Sequence, residues 1–433
     1  MGQRSSKCPA DERIRRKRQQ AIFKKNIPSV ASDFYFACRN DNIDYVREHI
    51  KDMSIEEINK LEPNGSTALH AATFYDNKEI VQLLISAKCS RTKLNRCGKM
   101  PHEEIQTAEM RKLYERPTLT RFHESDPSTS LATYVPDDQG QQQQTKLDWI
   151  KVFENENELM EYLTNQQTTV MWLKFFNWVS HTFSRFLDRN DYNANLFDLN
   201  NDRDFDDFLK RTIPNDDEYK QAREALIEAE QDESIIPLIE LYTSEFEHGG
   251  IPFYQVLNKQ LALSSENDIN TAHFCDRFVL DFDMKSQELE KRAYIGVTYR
   301  GVTMNDADIE KYEQLSFYGR KHGIIATKTF QSTSKNKQVA LRFAAQSSDD
   351  FKRVLFVFKI LNPCPTIFSV YDVSKYPEEE EVLIMPGNLF KVTEVVKNSH
   401  LTEIHLEHMK VTISFFTKIV QTIKAVRYRS NVE

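Results

Sequence analysis

Three short runs in the second half of the chain carry side chains able to do chemistry. Tyr299-Arg300-Gly301 ends an apolar stretch. A guanidinium there can hold a phosphate with a planar, two-pronged fork, and the adjacent glycine lets a ligand ring approach the backbone. Phe330-Gln331-Ser332-Thr333-Ser334 offers hydroxyls that can orient a ligand or a carboxylate. Glu378-Glu379-Glu380-Glu381 runs straight into Val382-Leu383-Ile384-Met385, four carboxylates against an apolar strand. Each run also has a plainer reading. A strand-end arginine is ordinarily a surface charge. Ser-Thr-Ser ordinarily opens a turn or caps a helix. Acidic residues beside an apolar strand ordinarily keep it soluble.

The elements that must position these residues are strands. From residue 293 the hydrophobic period is that of β structure, over 293–302, 323–334, 353–361, 366–371, 381–385, 389–396 and 402–411. Helical segments at 305–318 and 336–345 interrupt it. Residues 147–262 have helical spacing instead, with Trp149, Val152, Phe153, Leu159, Tyr162 and Leu163 at the start and one or two helices over 216–242. The aromatic stretch 171–179 reads as packed core. A helical part followed by a strand-rich part is an α+β arrangement.

The first third differs. Phe36-Ala37-Cys38 and His70-Ala71-Ala72 are 34 residues apart, as are Val46 and Ile80, and Ile50 and Leu84. That period predicts stacked helix pairs. Asn64-Gly65-Ser66-Thr67-Ala68-Leu69-His70-Ala71-Ala72 resembles the ankyrin signature, with Ala68 in the usual proline position. One good repeat with degenerate, capping neighbours is expected over 31–116, as a protein-binding surface. Residues 117–146, rich in Pro, Ser and Gln, read as a disordered linker.

Composition narrows the options. The chain has 433 residues, 40% hydrophobic and 28% charged, and a net charge of −8. No apolar run is long enough to span a bilayer. The six cysteines show no metal-ligand spacing, so no metal is expected and a reducing compartment is the easier reading. Nine basic against two acidic residues give positions 1–25 a charge of +7, leaving −15 for the rest. This argues for a basic tail over 1–30 and against a nucleic-acid-binding body. Gly2 with Ser6 fits the N-myristoylation pattern, and Cys8 offers a palmitoylation site. With the basic run they predict anchoring to the cytosolic face of a membrane. A plain basic tail or a nuclear import signal at Arg15 to Arg18 is the alternative. Residues 413–433 form a basic, amphipathic C-terminal segment.

The order and spacing of the three runs resemble the arginine-specific mono-ADP-ribosyltransferases, in which an Arg, a Ser and a Glu-x-Glu pair from separate strands meet in one NAD cleft. The resemblance covers roughly 220–410 and extends to Phe253–Asn258 and Val382–Val392. It implies a domain over 220–412 with a helical lobe leading into a two-sheet β core, and leaves 147–219 as an uncovered helical region. It implies that Arg300 contacts the phosphates of NAD or NADP, that Gly301 meets the nicotinamide amide, that Ser332 positions the ribose and the second glutamate, and that Phe343 lies near the nicotinamide. Glu381 would be the glutamate that stabilises the sugar cation, Glu379 its partner that activates the acceptor, and Tyr376 the aromatic that seats the target side chain. Extended-chain alternation gives the same pairing, with Glu379 and Glu381 on one face and Glu378 and Glu380 solvated on the other. The implied activity is transfer of ADP-ribose from NAD to protein arginines with release of nicotinamide. The competing readings are an NAD glycohydrolase and a catalytically inactive ankyrin adaptor. The missing signal peptide and the repeats depart from the secreted members and point to a cytoplasmic role.

Overall fold

In the computed structural model the described residues are 9–24, 29–116, 132–136, 142–146, 150–153, 215–231, 234–244, 253–263, 286–317, 323–344 and 351–409, with single positions between them. Gly2, Cys8, the stretch 171–179 and the segment 413–433 lie outside them. The chain divides into two compact units. One comprises Met1–Leu119, Ser334–Asn336 and Ser369–Val382; the other comprises Thr120–Thr333, Lys337–Phe368 and Leu383–Glu433.

The first unit contains α1 (Pro9–Phe23), α2 (Asp33–Arg39), α3 (Ile43–His49), α4 (Ile55–Ile58), α5 (Ala68–Phe74), α6 (Lys78–Ser86) and α7 (Ala108–Tyr114). The repeat appears as the pairs α2–α3 and α5–α6, with α2 against α5 and α3 against α6. Local chemistry starts several of these helices. Ser32 and Asn42 cap α2 and α3, and Thr67 and His70 close a reciprocal capping box on α5. Gly65 takes φ +78° in the turn before α5, a left-handed conformation that favours glycine. Small residues on the facing helices, Ala37, Ala68 and Ala72, let the backbones approach, and they bury with Val46, Leu69, Ile80 and Leu84 in one core.

The described part of the basic tail is a docked helix. α1 buries Ala10 and Ile22. Arg15 donates to the Gly98 carbonyl at 2.6 Å and pairs with Glu103, while Arg18 donates to the carbonyls of Thr92 and Asp372. Charge that reads as a membrane-binding cluster is thus partly consumed inside the unit. Sequence patterning missed this because the Arg18 partners lie 74 and 354 residues away.

The second unit contains α8 (Asp216–Gln231), α9 (Ile236–Thr243), α10 (Phe253–Leu263), α11 (Ser286–Arg292), α12 (Asp306–Phe317) and α13 (Lys337–Phe343). Strands β1 (Ala132–Pro136) and β2 (Gln142–Lys146) pair as an antiparallel hairpin inside the stretch expected to be a disordered linker. Thr133, Tyr134 and Val135 are strand formers, which a composition argument overlooks. Nine further strands are β3 (Ile150–Val152), β4 (Gly296–Met304), β5 (Ile324–Thr327), β6 (Gln331–Ser334), β7 (Lys352–Ile360), β8 (Ile367–Ser369), β9 (Glu381–Ile384), β10 (Leu389–Lys397) and β11 (Thr402–His408), of which Ser334, Ser369, Glu381 and Val382 group with the first unit. Where two sheets were expected, hydrogen bonds join the nine in one order, β3-β5-β10-β11-β7-β4-β6-β9-β8. β7 runs antiparallel to β4 and parallel to β11. Its Val354 to Phe358 are buried throughout, the pattern of a strand covered on both faces.

Two expectations change. The single strand read over 323–334 breaks at residues 328–330, because β5 pairs with β10 whereas β6 lies beside β4. Ile150–Val152, assigned to a helical region, is a strand antiparallel to β5. Its β-branched residues satisfy either period over so short a run.

Candidate active site

β4 and β6 bring together the first two runs. The Nη1 of Arg300 donates to the Ser332 carbonyl at 2.9 Å, and the Thr298 hydroxyl donates to that of Thr333 at 2.7 Å. Ser332 is buried and Arg300 half-buried. Gly301 has a structural duty of its own: a Cβ there would stand 2.0 Å from the Ala340 carbonyl oxygen, so only glycine lets α13 pack on β4. Phe343, the last residue of α13, is buried beside Val339.

The glutamates belong to the other unit. They do not sit on an extended chain, so strand alternation does not decide which way they face. Pro377–Glu379 is a turn of 3-10 helix with Tyr376 at its N-cap, and Glu380 adopts φ 47°, ψ 47° before β9 begins at Glu381. That left-handed residue reverses the chain, and both Glu379 (3% exposed) and Glu381 (1%) end up buried. Their burial follows from this turn and not from extended-chain alternation. The turn is held through its backbone: the Ser334 hydroxyl donates to the Glu379 carbonyl at 2.7 Å, the Lys335 amide to Glu380 at 3.2 Å, and the Val370 amide to Glu381 at 3.0 Å. The Ser374 hydroxyl lies 3.5 Å from the Glu381 carboxylate and accepts from the Tyr376 amide at 3.2 Å.

Glu378, read as solvated, is enclosed. Neither of its carboxylate oxygens has a hydrogen-bond partner among the described residues. Burial pushes its pKa up to about 8; Arg91, 4.0 Å away, works against that shift and Glu379 adds to it.

Sequence reasoning missed one residue of consequence. Arg116, just beyond α7, points its Nε and Nη2 at the two carboxylate oxygens of Glu379, each at 3.1 Å. Its guanidinium carbon lies 3.8 Å from the centroid of the Tyr376 ring. Nothing local distinguishes this arginine, since its partner is 263 residues away. Ser374 and Ser334 were equally hidden as supports, although Ser334 lies within a run already picked out.

Residues 199–414 match the model of the NAD:arginine ADP-ribosyltransferase family, and residues 64–96 match the ankyrin repeat. The chain carries a domain of the NAD:arginine ADP-ribosyltransferase family joined to an ankyrin repeat. Vis of Vibrio splendidus (strain 12B01), named for NAD(+)–arginine ADP-ribosyltransferase activity, is 32% identical over 122 residues, 28% of this chain and 45% of Vis. The chain thus spans less than half the length of the curated relative it matches. Similar solved structures include the ADP-ribosyltransferase HopU1 of Pseudomonas syringae pv. tomato DC3000, 18% identical, covering 47% of this chain and 82% of that one, TM-score 0.33. They also include the Vis toxin of Vibrio splendidus, 23% identical, covering 45% and 86%, TM-score 0.29.

Proposed function

We propose that this chain transfers ADP-ribose from NAD to the guanidinium of protein arginines and releases nicotinamide. The observation that carries the arginine specificity is the acceptor end: Glu379 forms a two-pronged pair with a guanidinium that also stacks on Tyr376. A planar carboxylate and an aromatic face together select guanidinium over ammonium.

Arg300 grips the NAD phosphates, the Gly301 backbone meets the nicotinamide amide, and the Ser332 hydroxyl orients the ribose. Phe343 packs on the nicotinamide side. Glu381 accepts from the ribose 2′-hydroxyl and stabilises the positive charge that grows at C1′ as the nicotinamide bond breaks, the same demand that glycoside hydrolysis makes of a carboxylate. A guanidinium is no nucleophile until it sheds a proton. Glu379 aligns it and takes that proton as attack proceeds. The ankyrin helices supply a surface for a protein partner.

Labelled NAD with agmatine, a small molecule bearing a bare guanidinium, tests this. Glu381→Ala should cut transfer by about 10²–10³-fold. Glu379→Gln should cut arginine modification by about 10²–10⁴-fold while NAD cleavage by water persists. Equal loss of both activities in Glu379→Gln would show that the division of roles is wrong. NAD cleavage without any agmatine product in the wild type would make the chain a glycohydrolase.

A further inference from the structure

Both sides of α1 carry charge, and the two sides meet different things. At about 3.6 residues per turn, Asp11, Arg15, Arg18, Gln19 and Ile22 share the side that packs on the first unit. There Arg15 donates to the Gly98 carbonyl at 2.6 Å and Gln19 to the Arg96 carbonyl at 2.8 Å. Arg18 pairs with Asp372 at 3.5 Å, and Asp11 accepts from Lys335. Those contacts seat the helix. Glu12, Arg13, Arg16, Lys17, Phe23 and Lys24 share the other side, and all six are exposed. Four cations thus stand against one anion, and that anion pairs with Arg16. A shallow groove of about 290 Å³ opens among Arg13, Arg16 and Lys17.

A solvated helix face ordinarily intersperses both signs. This face carries one sign in a chain whose net charge is −8. It also holds the Phe23 ring 62% exposed at its edge. Cations flanked by an exposed aromatic ring suit a lipid headgroup layer, where phosphates take the charges and the region beneath takes the ring. A polyanion in solution matches the charges but offers no continuous apolar layer below them. Because α1 is already folded and fixed on its inner side, its cations are presented together without further ordering.

We propose that the outer face of α1 is a docking surface for an anionic lipid bilayer, of the kind a cytosolic leaflet presents. Arg13, Arg16, Lys17 and Lys24 meet the headgroup phosphates, and Phe23 enters the interface. The inner contacts to Gly98, Arg96, Asp372 and Lys335 stay in place, so docking leaves the 369–382 segment undisturbed. This surface is independent of the reaction assigned above.

The full chain, made without attached lipid, is floated with vesicles of phosphatidylcholine and phosphatidylserine, and with vesicles of phosphatidylcholine alone. Binding should require phosphatidylserine and fall steeply in about 1 M salt. Arg16→Gln, Lys17→Gln and Lys24→Gln combined should weaken it by about 10²-fold. Phe23→Ala should weaken it by roughly ten-fold. These side chains are exposed, so helical circular dichroism should be unchanged in both variants. A wild type that stays off phosphatidylserine vesicles, or binds both kinds equally, would overturn the inference. So would unchanged binding in the triple variant, which would place the contact elsewhere in the chain. An RNA oligonucleotide or a polyglutamate peptide that displaces the vesicles, with Phe23→Ala without effect, would assign the face to a soluble polyanion instead. NAD and agmatine take no part in these measurements, so their outcome is separate from that of the transferase reading.

Discussion

Glu378 and Glu379 are chain neighbours with opposite electrostatic settings. Glu379 has a guanidinium across both oxygens, whereas both oxygens of Glu378 are buried without a hydrogen bond among the described residues. The folded state therefore holds a proton on Glu378 up to about pH 8, against an ordinary value of 4.5. The unfolded chain binds fewer protons across that window. The contribution to stability is complete below pH 4.5 and is lost as pH rises to about 8, at about 1.4 kcal/mol per pH unit. Glu378→Gln should abolish this loss, and thermal melts between pH 6 and 8.5, roughly the upper part of that window, should show a flatter midpoint than wild type. Identical slopes would sink the assignment. The spacing before a Val-Leu strand singled out Glu379 and Glu381 but gave no sign that the Glu378 carboxylate is enclosed as well. Their orientation was not legible, because a left-handed Glu380 has no mark in a run of four identical residues.

At the level of the element, the capping box on α5 ties repeat stability to a neutral imidazole. His70 accepts or shares protons with Thr67 and reaches the Lys99 carbonyl at 3.0 Å, and burial lowers its pKa to about 4. Burial lowers His102 to about 4 as well. For a base whose folded pKa is depressed, stability is present above the ordinary 6.5 and lost as pH falls towards 4. Two histidines outweigh the opposing Glu378 below pH 6.5, and Glu378 acts alone above it. The melting midpoint of the ankyrin helices, followed by helical circular dichroism, should peak near pH 6.5. A midpoint that keeps rising down to about pH 4.5 would contradict this sign. The repeat was readable because its cues, caps, alanines and a turn glycine, act within a few residues of where they stand. The break between β5 and β6 was not, since it follows from which strand each one joins. The same holds for β3, whose only cause for being a strand is a partner far along the chain.

At the scale of the molecule, the linear order of domains and the grouping by contact disagree. The Glu-x-Glu segment falls inside the family match at 199–414, yet residues Ser369–Val382 group with the N-terminal helices. This segment should therefore lose its order together with the repeats. Leu69→Ala, at a site 2% exposed, should destabilise those helices by about 2–5 kcal/mol. Native-state hydrogen exchange should then show the amides of Lys335, Glu379 and Glu380 losing protection along with α5, while amides in β4 and β7 keep theirs. Unchanged protection at Glu379 and Glu380 would show that the turn folds independently of the repeats. If the prediction holds, the repeats cannot be inherited as a detachable adaptor. A lineage that exchanged them for another repeat array would also remove the scaffold beneath Tyr376 and Glu379, so partner choice and catalytic competence would be selected as a single trait.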